Sequence, residues 1–217
     1  MKFKYDRTKI PDKPVVNMWT PLRLRVDENY PFVPRGRAFR IASGALHRLA
    51  GAVLPLFNRL MFGLQVEGRE HLLGIPGGAV TVCNHVHILD CSMVASASGL
   101  KKRMLFPTLK SNLEIPFIRH LVRLLGGIPI PTSTKAFGRF CKVVKDSLRQ
   151  GDWVHLYPEG MLAPYFDGVR PFHRGAFMFA HDCGVPVVPF VIHYRESASR
   201  WRKGRLLLNM TILPPSL

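Results

Sequence analysis

The chain has 217 residues, 47% of them hydrophobic, enough for one domain with a sizeable core. Lys and Arg number 31 against 14 Asp and Glu, so the net charge is +17 and the partner it points to is anionic: nucleic acid, an acidic membrane surface or a phosphorylated compound. The four cysteines (Cys83, Cys91, Cys141, Cys183) form no Cys-x-x-Cys pair, which argues against a disulfide frame or a zinc site and for reduced core thiols of a cytosolic protein.

In chain order, Met1 to Lys13 is charged and has no apolar core segment, so no signal peptide is expected. Residues 1–36 are basic and broken by Pro11, Pro14, Pro21, Pro31 and Pro34, which predicts an extended arm. Trp19, Tyr30 and Phe32 are the side chains able to tack it to the body. Residues 37–63 predict an amphipathic helical segment: Phe39, Ile41, Leu46, Leu49, Val53, Leu56, Phe57 and Leu60 are apolar, and Arg37, Arg40, His47, Arg48 and Arg59 are basic. Gly51 and Pro55 predict a kink or a break into two helices. Charges and Pro55 interrupt this stretch too often for a membrane span. Two readings stay open for it, a helix lying in a membrane interface or one packed on the protein's own core.

Residues 64–217 predict the main domain. Strands are expected at Leu64–Glu67, Ala79–Cys83, Arg103–Thr108, Ile128–Ile130, Asp152–Tyr157, Val185–His193 and Arg205–Leu213. Helices are expected from Asp90 to near Gly99 and at Pro116–Leu125, Thr134–Gln150 and Arg174–Cys183. Ser133 or Thr134 caps the third, and Gly151 and Gly184 stop the last two. Short strands alternating with helices give an α/β class: a mixed, partly parallel sheet flanked by helices, with the N-terminal amphipathic segment attached.

The chemistry centres on Asn84-His85-Val86-His87-Ile88-Leu89-Asp90. His85 follows a buried strand and Asp90 opens a helix, the usual place for a site in an α/β fold. The intervening residues let the chain curl so that the carboxylate meets one ring nitrogen. That fixes the tautomer and leaves the other nitrogen to take a proton, as a general base does. Further pieces stand at strand ends: Gly126-Gly127-Ile128-Pro129-Ile130, Tyr157-Pro158-Glu159-Gly160, and Val185-Pro186-Val187-Val188-Pro189. Cys83 and Cys91 are read as inert packing thiols, and His155, His181 and His193 as satisfied fold histidines.

Taken together, the ordered blocks resemble those of the glycerolipid acyltransferases typified by lysophosphatidate acyltransferase. That family carries Asn-His-x4-Asp, a Gly-rich segment ending in Arg, Phe-Pro-Glu-Gly-Thr-Arg, and Val-Pro-Ile-Val-Pro. Here they stand as Asn84 to Asp90, Gly126 to Thr132, Tyr157 to Leu162, and Val185 to Pro189. Val66-Glu67-Gly68 and Phe172-His173-Arg174-Gly175-Ala176 are also similar, so the likeness runs from about residue 64 to 193.

The resemblance implies that His85, oriented by Asp90, deprotonates an acceptor hydroxyl. The hydroxyl then attacks the thioester of acyl-CoA or an acyl-carrier protein, with backbone N–H groups at the helix start holding the oxyanion. It also implies a substrate-binding set of Asn84, Gly127, Thr132, Lys135, Glu159, Gly160, Arg170 and Arg174. No metal and no cofactor beyond the acyl donor is implied. The default acceptor is 1-acyl-sn-glycerol-3-phosphate, and the default location is cytoplasmic, peripheral on the inner face of the cell membrane. Thr132 and Leu162 stand where the family has Arg, the residues that clamp the acceptor phosphate. Either the acceptor differs, or Lys135, Arg139, Arg170 or Arg174 takes over.

Three alternatives compete. A His85-Val86-His87 metal hydrolase lacks the rest of its ligand spacing. A non-catalytic basic module is allowed by the charge, but no nucleic-acid motif is present and no nucleic-acid partner is expected. Acylation of a non-phosphate or amino-lipid acceptor fits the missing arginines.

Overall fold

The computed structural model describes residues 24–99, 102–166, 168–197 and 204–216. Its centre is a seven-stranded sheet of β1 (Gln65–Glu67), β2 (Ala79–Cys83), β3 (Met104–Leu109), β4 (Gly127–Ile130), β5 (Trp153–Leu156), β6 (Val187–Glu196) and β7 (Leu206–Ile212). The spatial order is β1-β7-β6-β2-β5-β3-β4. Strands β6, β2, β5, β3 and β4 run parallel, β7 is antiparallel to β6, and β1 pairs parallel with β7. The sheet is mixed and mostly parallel, as the alternating pattern predicts.

β2 is the fourth strand of seven and is buried at every position. That is why it reads as a continuous apolar run rather than an alternation. Ala79 and Cys83 contribute to one core layer with Met93, Val94 and Phe190, while Val80 and Val82 face the other with Phe140, Val144 and Ala180. Each fully buried side chain of Leu or Phe size contributes roughly 1.5–3 kcal/mol.

Among the described residues five α-helices flank the sheet: α1 (Arg37–Phe62), α2 (Asp90–Ser98), α3 (Ile118–Leu124), α4 (Thr134–Arg149) and α5 (Gly175–Cys183). Ser133 caps α4, its side chain accepting from the Ala136 N–H at 3.3 Å. α3 starts two residues later than the sequence suggests, because Phe117 takes a left-handed φ of 61°. Nor does α1 divide in two: it is assigned as a single helix through Pro55. The carbonyl that a proline ring crowds lies four residues back, here at Gly51, where the backbone adjusts most easily.

Of the arm, Trp19 lies outside the described residues. Phe32 is buried against Phe140, ring centroids 5.8 Å apart, and Tyr30 packs edge-on to Phe32 at 5.2 Å. Gly126 and Gly127 open β4 under tight sterics. A Cβ on Gly126 would stand 2.2 Å from the Met104 carbonyl, and one on Gly127 2.3 Å from the Val122 side chain.

Candidate active site

β2 delivers Asn84 and His85 at its carboxyl end, and Asp90 is the first residue of α2. The curl anticipated between them is present: His85 Nδ1 lies 2.6 Å from Asp90 Oδ2, with Asp90 only 1% exposed. The carboxylate therefore accepts the hydrogen bond of Nδ1–H and leaves Nε2 free to take a proton.

The second oxygen of Asp90 has a partner that the sequence reading missed. Tyr157 O–H donates to Asp90 Oδ1 at 2.6 Å, and its ring stacks on His85, centroids 4.0 Å apart and 14° between planes. Burial first, then the Asp90 charge, pushes the phenol well above its ordinary range, so it remains a donor. Strand register explains the meeting. Val82 pairs with Leu156, the last residue of β5, so the residue that follows, Tyr157, comes out beside the end of β2. The resembled family has Phe here, and a Phe would keep the stack but not the bond. Tyr157→Phe is expected to lower kcat by about tenfold with KM nearly unchanged, the worth of one hydrogen bond to a charged group. Steady-state kinetics would check this, and an unchanged kcat would remove Tyr157 from the positioning of the dyad.

Below the imidazole lies a buried ion pair. Glu159 Oε2 accepts the His85 backbone N–H at 3.1 Å and Arg170 Nε at 3.1 Å, with Arg170 Nη2 also on the same oxygen. Arg170 Nη2 further reaches the carbonyls of Met161 and His85. Ala163 N–H and Tyr165 N–H donate to the carbonyls of His85 and Val86, at 2.8 and 3.1 Å. The His85 peptide is thus pinned from both sides.

This settles where two expected binding residues sit. Arg170 is 6% exposed, and its guanidinium is engaged with Glu159 and with the loop that carries His85. Asn84 spends its side-chain amide on β6, donating to the Ile192 carbonyl and accepting the Ile192 N–H, each at 2.8 Å. Gly127 is buried against Val122 in the packing already described. Gly160 is exposed in the turn after Glu159 at φ 73°, its Cβ position 3.0 Å from the His173 ring. Thr132, Lys135 and Arg174 are exposed at the entries to α4 and α5.

The backbone donors at the start of α2 are largely taken. Leu89 N–H goes to His87 Nδ1, Asp90 N–H to the His87 carbonyl, and Ser92 and Met93 N–H to the Leu89 carbonyl. These four are not available to an oxyanion.

Neighbouring groups are held neutral. Burial pushes the His155 imidazole down to about 3, with the nearby His85 adding to the effect. Its Nδ1 meets Thr81 Oγ1 at 2.8 Å, but its Nε2 has no partner, so it is a half-satisfied histidine rather than the satisfied one expected. Burial also lowers His87, whose ring packs on Phe62 at 4.8 Å. Burial and the Asp90 charge push the Cys83 thiol well up, which keeps it protonated and a poor nucleophile, whereas Cys91 is exposed on α2 rather than the packing thiol expected. Among the described residues, no three His, Cys, Asp or Glu side chains come together as a metal site.

The acyltransferase family model matches residues 63–193, which contain all four blocks. The 1-acyl-sn-glycerol-3-phosphate acyltransferase of Escherichia coli (strain K12) is 31% identical over 168 residues, covering 74% of this chain and 66% of that protein. The enzyme of the same name from Haemophilus influenzae is 29% identical over 170 residues, covering 72% and 68%. This chain thus matches about two thirds of these relatives' length. The crystal structure of the 1-acyl-sn-glycerophosphate acyltransferase from Thermotoga maritima shares the fold, with TM-score 0.55 and 22% identity over 85% of this chain and 74% of that one. The matched region carries the His85–Asp90 pair and most of the sheet that presents it, and the chain belongs to the acyltransferase family.

Proposed function

We propose that the protein moves a fatty acyl group from an acyl-CoA or acyl-carrier-protein thioester to a hydroxyl of a lysophospholipid-type acceptor, 1-acyl-sn-glycerol-3-phosphate being the default. The observation that carries this is the 2.6 Å contact of His85 Nδ1 with Asp90. His85 Nε2 takes the acceptor's hydroxyl proton as the oxygen bonds to the thioester carbonyl carbon. The tetrahedral intermediate collapses, the C–S bond breaks, and the thiolate recovers the proton from the imidazolium. No acyl-enzyme forms on Cys83 or Cys91 in this scheme.

For the acceptor phosphate, Lys135 and Arg174 are the cations we assign. Each stands exposed in the first turn or at the cap of a helix, where the N-terminal dipole also favours an anion. Thr132 and Gly160 border the same end of the sheet. The observation favouring a second reading is the engagement of Arg170 with Glu159. With Thr132 and Leu162 already in place of arginines, a phosphate-free or amino-lipid acceptor gains ground. Thiol release from an acyl donor would be measured with lysophosphatidate, monoacylglycerol and an amino-lipid offered in vesicles. Lysophosphatidate is expected to be fastest. Equal or faster turnover of monoacylglycerol or the amino-lipid would select the second reading, and no acceptor-dependent thiol release would sink both.

We further read residues 1–36 as an arm, 37–63 as a membrane-interface segment and 64–217 as the catalytic domain. The polarity of α1 supports this. Its inward face is partly polar: Ser43 O–H donates to the Leu124 carbonyl at 2.7 Å, and buried Asn58 bonds Ser92 and Ser96. Its outward stripe is apolar, with Ile41, Leu49, Val53, Leu56 and Leu60 each half or more exposed. A helix resting on its own core in water has the opposite arrangement. Among the described residues no helix is long and apolar enough to cross a membrane, so α1 is assigned to the interface plane. Basic side chains then face anionic lipid, as on the inner surface of a cell membrane.

A further inference from the structure

We propose that the cleft between the last turn of α1 and the β1–β7 edge holds the phosphate of an anionic phospholipid headgroup. The proposal rests on the membrane reading of α1 and names the lipid contact that seats it.

The cleft has a volume of about 630 Å³. Three arginines line it from three separate elements: Arg59 of α1, Arg69 of the short helical turn after β1, and Arg195 of β6. No carboxylate lines it, and among the described residues none of the three pairs with an acid. Elsewhere arginines of this chain do find one, as Arg103 finds Asp152 and Arg170 finds Glu159. Arg195 is fixed in advance, its Nε donating to Asn209 Oδ1 at 2.6 Å and its Nη2 to the Gly63 carbonyl at 3.1 Å. A guanidinium ordered before the ligand arrives loses less on binding.

The individual arginines have ordinary jobs. Arg59 sits in the last turn of α1, where a cation suits the dipole, and Arg195 ties β6 to β7. Neither job accounts for Arg69, nor for three forks meeting in a cleft without an acid.

The remaining wall identifies the ligand. Pro55, Leu60 and Leu207 are apolar, and Leu60 belongs both to the cleft and to the outward stripe of α1. A free anion has no use for such a wall. A lipid lying along the stripe would bring its phosphate to the arginines while its chains stay on Leu56 and Leu60. None of His85, Asp90 or Tyr157 lines the cleft, so it is distinct from the catalytic centre.

The test uses the full chain and co-sedimentation with vesicles of phosphatidylcholine containing phosphatidic acid. Arg59→Ala combined with Arg69→Ala removes two exposed cations that hold no described structural bond. Arg35→Ala combined with Lys142→Ala removes the same charge from exposed positions outside the cleft. The first pair is expected to weaken vesicle binding by about tenfold or more, the second by less than about twofold. Equal losses would reduce the effect to general charge and overturn the site. Inorganic phosphate at the same phosphate concentration is expected to leave vesicle binding intact. Full competition by it would assign the cleft to a soluble phosphate and overturn the headgroup. If the parent chain binds no vesicle yet still releases thiol in an acceptor-dependent way, the membrane reading and this site fall together and the acyl transfer chemistry stands.

Discussion

His85→Ala is expected to lower kcat by about 10³-fold or more, while the protein stays folded and keeps its vesicle binding. The loss corresponds to a general base, worth about 10²–10⁴-fold, together with the proton it returns to the leaving thiolate. Stability falls by about 1–3 kcal/mol, because buried Asp90 loses the His85 N–H but keeps the Tyr157 hydroxyl, and the ring's main packing partner is one face of Tyr157. An aromatic contact of that kind is worth about 0.5–1.5 kcal/mol. Asp90→Asn is expected to follow at a somewhat smaller loss, since an amide donor opposite Nδ1 favours the wrong tautomer. Added imidazole should restore part of the His85→Ala rate and none of the Asp90→Asn rate. A His85→Ala protein with the parent's thiol release would remove His85 from the role of general base.

How much of this was legible in the sequence depends on distance along the chain. The His85–Asp90 pair spans five residues, and a strand end followed by a helix start leaves the segment few ways to run. The order of elements was legible for the same reason, because β2 and α4 carry unambiguous local patterns. The Tyr157–Asp90 bond spans 67 residues and needs β5 to lie next to β2 in one register. Period and composition do not choose a neighbour for a parallel strand. Tyr157 differs from the family's Phe by one oxygen, and that was the only available signal. Arg170 shows the converse limit. By residue type it suits a phosphate, but only the fold reveals that Glu159, eleven residues earlier, already holds it. The role of α1 was undecided because amphipathicity gives a helix two faces without saying which one the protein covers. The polar bonds of Ser43 and Asn58 on the inward face are what support the membrane-interface reading proposed above.

Arg170→Ala is expected to cost about 3–5 kcal/mol of stability, because it leaves the Glu159 carboxylate buried and without its cation. Side-chain exposures of 5% and 2% for this pair put it in the buried class, where removing one partner is costly although the intact pair adds little net stability. For a chain of this length the melting temperature should fall by about 10 °C or more. Activity should fall with it even at temperatures where the variant is folded, since Glu159 and Arg170 hold the two ends of the His85 peptide. Arg170→Lys separates these effects. An ammonium keeps the charge but cannot offer two parallel donors to Glu159 and a further one to the Met161 carbonyl. It should recover most of the melting temperature and less of kcat, with KM for the acceptor unchanged. An acceptor KM that rises for Arg170→Lys while kcat holds would place the guanidinium on the acceptor phosphate after all, and would transfer to Arg170 the clamp assigned above to Lys135 and Arg174.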